Sequence, residues 1–472
     1  MASTSSGPPS EQPSVVASAA SSIKSSRPTT PSNAPSEKAP DDSSKLKTFL
    51  GILRRFIGVS DIAAVRFSLP AQLLEPTPNL EYWNYLDRPE TFVRHVAPQT
   101  SLIGDSPDPL GRMLGTLRFW FTKDLKYVKG KPCKPYNSTL GEFFRCNWVV
   151  EDTAPSIRLP STEKPAQPDG VGPKSNASGR PIKVSYLTEQ TSHHPPVSAF
   201  FIACPEKGIL ARGFDQLSAK FTGTSVKVTP GAHNLGIFIT LEKWGNEEYQ
   251  LTHPAAHLGG FLRGNLNVTV ADSCFISCPK TGIKVILQYL EEGWLGKAQN
   301  KVEGVIFRYT PATETTTRLK DVPDKDILGR VEGCWHDKVY YTLCSESFGK
   351  NKVSHDKHLL IDLNPLYPIP KLVPPEDLQL PNESRRFWYD VTAAINNKQY
   401  SLATQVKQEI EERQRQKAKE RETRGVEWKP RFFTSTTAPD GRPDLTADGW
   451  TVLKGMQMDD FRLTANEEAG AY

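Results

Sequence analysis

Residues 182–205 read IKVSYLTEQTSHHPPVSAFFIACP. Two segments that tend to alternate between apolar and polar residues, IKVSYLTEQ and VSAFFIACP, flank the string SHHPP. Proline has no N–H to give to a strand ladder, so the sheet must end or bulge at Pro195-Pro196. Two adjacent histidines on extended chain point to opposite faces. If the Pro-Pro corner twists the strand end, both imidazoles can aim N–H donors at a single anion. The same alternation continues outward in both directions. EFFRCNWVVED lies before the stretch. ILARGFDQLSAKFTG, SVKVTP, LGIFITLEKW, EYQLTHP, NLNVTVAD, CFISCP, KVILQYLEE, KVEGVIFRY, ILGRVEGCW and KVYYTLC follow it. Thirteen strand candidates with turn residues between them and no long helix interposed predict a large antiparallel sheet or barrel. They argue against a doubly wound α/β fold.

The flanks differ in character. Residues 1–44 contain 14 Ser and 7 Pro and are expected to be a disordered tail. In KLKTFLGILRRFIG (45–58) the apolar residues Leu46, Phe49, Leu50, Leu53, Phe56 and Ile57 recur at helical spacing, with Lys45, Lys47, Arg54 and Arg55 on much of the remaining surface. This amphipathic helix either covers its own core or also meets a membrane surface. Helices are expected at Tyr82–Leu86 and Leu110–Phe121. The Pro-, Ser- and Gly-rich stretch 152–180 reads as a flexible insertion between strands. After Pro374-Pro375 the spacing turns helical, in RRFWYDVTAAINNK and in a longer charged helix ending near Gly425. The last 47 residues read as an extended strap.

Composition narrows the function. With 58 Lys+Arg against 53 Asp+Glu, the net charge of +5 is too mild for a nucleic-acid binder. No apolar run approaches the roughly 20 residues that span a bilayer. The N-terminus lacks a secretory pattern. Seven cysteines, an odd number with no CxxC pair, fit reduced thiols in a cytosolic protein and give a zinc site little support. There is no GxSxG, no GxxxxGK[ST], no HExxH and no GxGxxG after a strand, so no catalytic residue, metal or cofactor is assigned. His253 and His257 are four apart, but Pro254 works against a shared helix face.

EQTSHHPPVSAFF (189–201) resembles the signature of the oxysterol-binding protein-related family of lipid-transfer proteins. KPYNSTLGEFFRC (134–146) is similar to that family's KPxNPxLGE segment, with Ser138 in place of the usual proline. KQEIEERQRQKAKER (407–421) resembles its C-terminal helix, and the segment from Lys45 looks like its N-terminal lid. The resemblance spans about residues 45–435 and suggests a short, fungal-type member lacking a pleckstrin-homology domain. It implies an α+β, mainly β fold: a large, incomplete antiparallel β-barrel around a lipid tunnel, with a lid at 45–69, a helical part at 381–425 and an extension at 436–472.

The shared ligand of this family is phosphatidylinositol 4-phosphate, whose phosphates call for charge-assisted hydrogen bonds. By resemblance, Lys134 and Asn137 contact the head group, with His193 and His194 on the 4-phosphate. Lys407, Glu411 and Arg415 stand four apart and keep to one helix face. Glu411 between two cations could hold both in place. Leu46, Phe49, Leu50, Leu53 and Leu69 of the lid region, with Trp83, are expected to line the tunnel.

The second cargo is phosphatidylserine or a sterol. Trp83 fits the place of a tunnel tryptophan in sterol binders. Those proteins carry Asn and Gln where this chain has Asp215 and Gly231, so their small amides are not expected along this tunnel. EEGWLGKAQNKVEGVIF (291–307) looks more like the phosphatidylserine-carrying branch, which is favoured. The resemblance implies a monomeric, non-enzymatic cytosolic protein that exchanges lipids at endoplasmic reticulum and other membrane contact sites through peripheral contact with anionic membranes. A lipid-dependent sensor or adaptor is the alternative.

Overall fold

The computed structural model describes residues 36–37, 42–63, 69–93, 106–130, 134–150, 182–260, 266–290, 300–345, 352–353 and 356–463. Most of the Ser/Pro tail and the whole 152–180 insertion lie outside the described residues.

Among the described residues five α-helices precede the strands: α1 (Asp42–Leu53), α2 (Asn79–Tyr82), α3 (Glu90–Val93), α4 (Pro109–Thr122) and α5 (Leu125–Lys129). Sixteen strands follow among the described residues. They are β1 (Phe143–Val150), β2 (Ile182–His193), β3 (Pro196–Cys204), β4 (Ile209–Asp215), β5 (Leu217–Phe221), β6 (Val226–Pro230), β7 (Ile237–Leu241) and β8 (Glu247–Leu251). The series continues with β9 (Ala255–Gly259), β10 (Asn267–Cys278), β11 (Ile283–Tyr289), β12 (Lys301–Arg308), β13 (Ile327–Cys334), β14 (Lys338–Ser345), β15 (Lys352–Val353) and β16 (His358–Asp362). The helices α6 (Ser384–Phe387), α7 (Tyr389–Asn396), α8 (Tyr400–Arg424) and α9 (Ala447–Gln457) end the chain.

All strands join one antiparallel sheet in the order β1-β2-β3-β4-β7-β8-β10-β11-β12-β13-β14-β15, with β16 also on β14. The strands β5, β6 and β9 form a branch that joins the main path through β10. Residues 267–271 of β10 pair with β9 and residues 272–278 pair with β11. Among the described residues β1 does not pair with β15 or β16, so the barrel is incomplete. The alternating pattern therefore identified the architecture correctly. The segment ILARGFDQLSAKFTG splits into β4 and β5, while NLNVTVAD and CFISCP fuse into β10.

Inward residues from every main-path strand except β15 share one hydrophobic cluster with α4, so the sheet wraps around that helix. From Gly111 to Thr122 α4 is buried all round. Of its two buried arginines, Arg112 makes a bidentate pair with Glu247 (2.7 and 2.8 Å), and Arg118 donates from Nε to the Leu360 carbonyl. On the other face of β1–β3, Phe143, Leu187, Val197, Ala199 and Phe201 pack against Phe432, Phe433, Leu445 and the apolar side of α9. The expected strap is thus corrected at 447–457, where Thr446 caps a helix through the Gly449 N–H. The expected helix at Tyr82–Leu86 is also corrected. It spans Asn79–Tyr82, because Tyr85 takes a left-handed conformation (φ 58°) that a helix cannot contain.

Candidate functional site

A cavity of about 1490 Å³ opens inside the sheet. Its mouth is built from three distant stretches. The first is the segment before β1, where Lys134 Nζ donates to Asn137 Oδ1 (2.6 Å) and to the Pro135 carbonyl (3.1 Å). Tyr136 between them is fully buried against Trp388 and fixes the segment. The second is the β2–β3 hairpin. The sheet both bulges, between Gln190 and Ser192, and ends, with His193 paired to Pro196 across a cis His194-Pro195 bond. The two imidazoles stand 4.6 Å apart at 63°. The third is α8, whose Lys407 is only 4% exposed and lies 2.9 Å from Glu411.

All seven residues expected at the head group line this one cavity: Lys134, Asn137, His193, His194, Lys407, Glu411 and Arg415. One detail differs. Glu411 braces Lys407, whereas Arg415 is braced by Glu412 at 2.6 Å, one residue further round the helix.

The segment expected to be a lid contributes part of the cavity wall. Leu46, Phe49, Leu53, Leu69 and Trp83 line the cavity as expected. Leu50 is corrected: it packs in the same apolar cluster, with Leu46, Leu53, Phe221 and Val226, but does not reach the cavity. A short clip ties the chain behind the lid to the branch of the sheet. The Ile62 N–H donates to the Ala219 carbonyl (2.6 Å), and the Ala219 N–H donates to Asp61 Oδ1 (2.9 Å).

Sequence reasoning missed the inner end. Tyr85, Trp120, Lys123, Asp124, Asp215, His253, Tyr289 and Trp335 meet there. Tyr85 donates to Asp215 (2.5 Å) and stacks on His253 at 5.3 Å. Lys123 pairs with Asp124 and lies 4.3 Å over the Trp120 ring. Burial pushes the Asp215 carboxyl up to about 7. Burial acts the same way on Asp124, but Lys123 and Lys126 outweigh it and bring that carboxyl down to about 2. Burial, then the Lys123 charge, holds His253 neutral, at about 3. Gln216 and Asn234 also line the cavity, which corrects the expected lack of amides. A Cβ on Gly231 would fall 2.5 Å from Gln216 Cδ, so the Gln216 side chain occupies that place.

Two motif carboxylates hold the frame rather than the ligand. Glu189 accepts the Arg431 and Phe432 N–H groups (2.8 Å each), tying the hairpin to the strap. Glu142 accepts from Ser384 Oγ, Trp388 Nε1 and the Thr139 N–H. Burial pushes both to about 7. Phe143 and Phe144 beside Glu142 are fully buried, so this pair of phenylalanines is a fold position. Among the described residues no His, Cys, Asp and Glu cluster could hold a metal, and no helix is long and apolar enough to cross a membrane.

A family model described as oxysterol-binding protein matches residues 48–460. Oxysterol-binding protein-like protein 1 of Schizosaccharomyces pombe is 41% identical, over 88% of this chain and 92% of its own length. Oxysterol-binding protein-related protein 9 of Homo sapiens is 30% identical, over 77% of this chain and 44% of its own. Among solved structures, the Osh1 ORD domain in complex with cholesterol superposes with a TM-score of 0.61 at 19% identity, covering 89% of this chain and 91% of that one. The Osh3 ORD of Saccharomyces cerevisiae in complex with PI(4)P gives 0.55 at 18%, covering 90% and 96%.

Proposed function

Since this chain belongs to the oxysterol-binding protein family, we propose that it is a non-enzymatic carrier that extracts phosphatidylinositol 4-phosphate from one membrane and exchanges it for phosphatidylserine at contact sites. One observation carries the reading: Lys134, His193, His194, Lys407 and Arg415 come from three separate parts of the chain and rim a single cavity. Cationic donors gathered beside an apolar interior suit a ligand with phosphates at one end and acyl chains at the other. Each methylene withdrawn from water is worth about 0.8 kcal/mol, so both chains need cover. The 1490 Å³ available exceeds the roughly 300–1,000 Å³ of pockets for compact ligands, which supports a two-chain cargo.

The protein works in the cytosol as a monomer, touching anionic membranes peripherally. Exchange needs no nucleotide, because a concentration difference of one lipid between two membranes drives it. A second reading, sterol as the returning cargo, is favoured by Trp83, Gln216 and Asn234 on the cavity wall. Liposome transfer with the His193→Ala/His194→Ala variant tests the site, and undiminished phosphoinositide extraction would reject it. Native mass spectrometry of the lipids that copurify with the chain separates phosphatidylserine from sterol.

A further inference from the structure

The longest helix changes partner halfway along. In its first half, α8 packs Leu402, Ala403, Val406 and Ile410 against α7 and the segment at Ala71. Counting from Ile410 at 100° per residue, Arg413, Lys417, Arg421 and Arg424 fall within about 60° of it, on the same face. A stripe that is apolar up to Ile410 is therefore cationic beyond it. Beyond Ile410 no residue of α8 is buried, and the cationic half runs about 21 Å.

These cations are not neutralised from within. Among the described residues none of the four is in an ion pair, while neighbouring Glu420 receives a hydrogen bond from Gln416. Like charges four apart on a helix repel. Partial burial and then the flanking Arg413 and Arg421 lower the Lys417 ammonium from its ordinary value, against an opposing pull from Glu420. Except at Arg421, which lines the cavity, the stripe is distinct from the ligand row. Arg413 lies six residues beyond Lys407, which places it roughly 120° around the helix.

The helix ends at Gly425 in a left-handed cap, with the Val426 N–H closing on the Arg421 carbonyl. An apolar residue at that position ordinarily folds back onto the helix. Here Val426 is 55% exposed. We propose that the C-terminal half of α8 is a docking surface for an anionic bilayer, with Arg413, Lys417, Arg421 and Arg424 on lipid head groups and Val426 inserted beneath them.

A bilayer fits better than an acidic protein because of where the stripe stands. Arg421 lines the cavity together with Lys419, Trp428 and the lid residues Lys45 and Phe49. Arg413, Lys417 and Arg424 do not line the cavity but stand on the same helix beside Arg421, so whatever occupies the stripe borders the mouth, where cargo must pass into a membrane; in this respect the inference rests on the exchange reading above.

The test uses the full chain and vesicles of phosphatidylcholine with or without phosphatidylglycerol, an anionic lipid outside the proposed cargo. The parent should bind only the charged vesicles and lose them at high salt. The variant Arg413→Gln/Lys417→Gln/Arg424→Gln, which spares the cavity-lining Arg421, should bind them on the order of a hundredfold more weakly. Arg413→Lys/Arg424→Lys should restore most of the binding. Equal binding of parent and triple variant, or a parent indifferent to lipid charge, overturns the proposal. Binding of a soluble short-chain phosphatidylinositol 4-phosphate should be the same for parent and triple variant. Its absence from both, with vesicle docking still charge-dependent, would remove the exchange reading and leave the docking surface standing.

Discussion

The two ends of the cavity handle charge in opposite ways. At the mouth, Lys134, His193, His194 and Arg415 stand on a loop, a hairpin and a helix that meet only there, with an excess of positive charge. At the inner end Lys123 is matched by Asp124, Lys126 by Asp87 and Asp124, and Asp215 by the Tyr85 hydroxyl. A site that must capture an anion carries more positive charge than its own carboxylates, Glu411 and Glu412, can offset. A site that must stay dry satisfies its own cations, because an unmatched buried charge costs several kcal/mol. The difference separates binding from stability, and each end can be broken independently.

The largest effect is expected inside. Asp124→Asn leaves Lys123 without its matching charge and should cost about 3–5 kcal/mol of stability, read as a lowered urea midpoint. Next comes the mouth. Replacing His193 and His194 with alanine should weaken phosphoinositide extraction about a hundredfold, from two hydrogen bonds to a charged group, with the melting temperature little changed. A double variant that lost stability instead would erase the contrast between the ends.

A smaller effect is a pH dependence. Burial raises Asp215 to about 7 in the folded chain, above its unfolded value. Its contribution to stability is then fully present below about pH 4 and is lost as pH rises through about 7. Asp215→Asn should therefore gain stability relative to the parent between about pH 5 and pH 8, measured by thermal melting at each pH. A parent-variant difference independent of pH would contradict this. The smallest effect concerns the lid. Phe49→Ala, at a cavity-lining position, should slow transfer more than Leu50→Ala, which should act mainly on lid stability, by about 1–2 kcal/mol for a half-buried side chain.

The residues expected at the mouth were legible through the family resemblance, because each of its motifs is a contiguous string. SHHPP, KPYN and the Lys407–Arg415 ladder each carry their chemistry within a few residues. The inner end was not, because Tyr85, Lys123, Asp215 and His253 come from four separate elements that only the closure of the sheet around α4 brings together. The strands were legible through alternation, except where both faces are covered. Arg145 and Asn147 point away from the cavity yet are buried under Glu383 and the Met456 carbonyl. The helix at Ala447–Gln457 escaped notice because Gly449 and the surrounding Pro and Asp read as loop. Thr446 ahead of Val452, Leu453 and Met456 was the available signal. The frame-holding role of Glu189 depends on a strap that returns 242 residues later, beyond the reach of any local pattern.

The branch formed by β5, β6 and β9 carries the lid, yet meets the main sheet at β10, a strand that changes neighbours at Asp272, itself in a left-handed conformation (φ 69°). Among the described residues the platform under the lid thus shares ladder hydrogen bonds with the main path through β10 alone. A bulkier cargo that spreads the entrance meets a platform with few ladder rungs to the main sheet, and the many rungs that shape the rest of the container can stay closed.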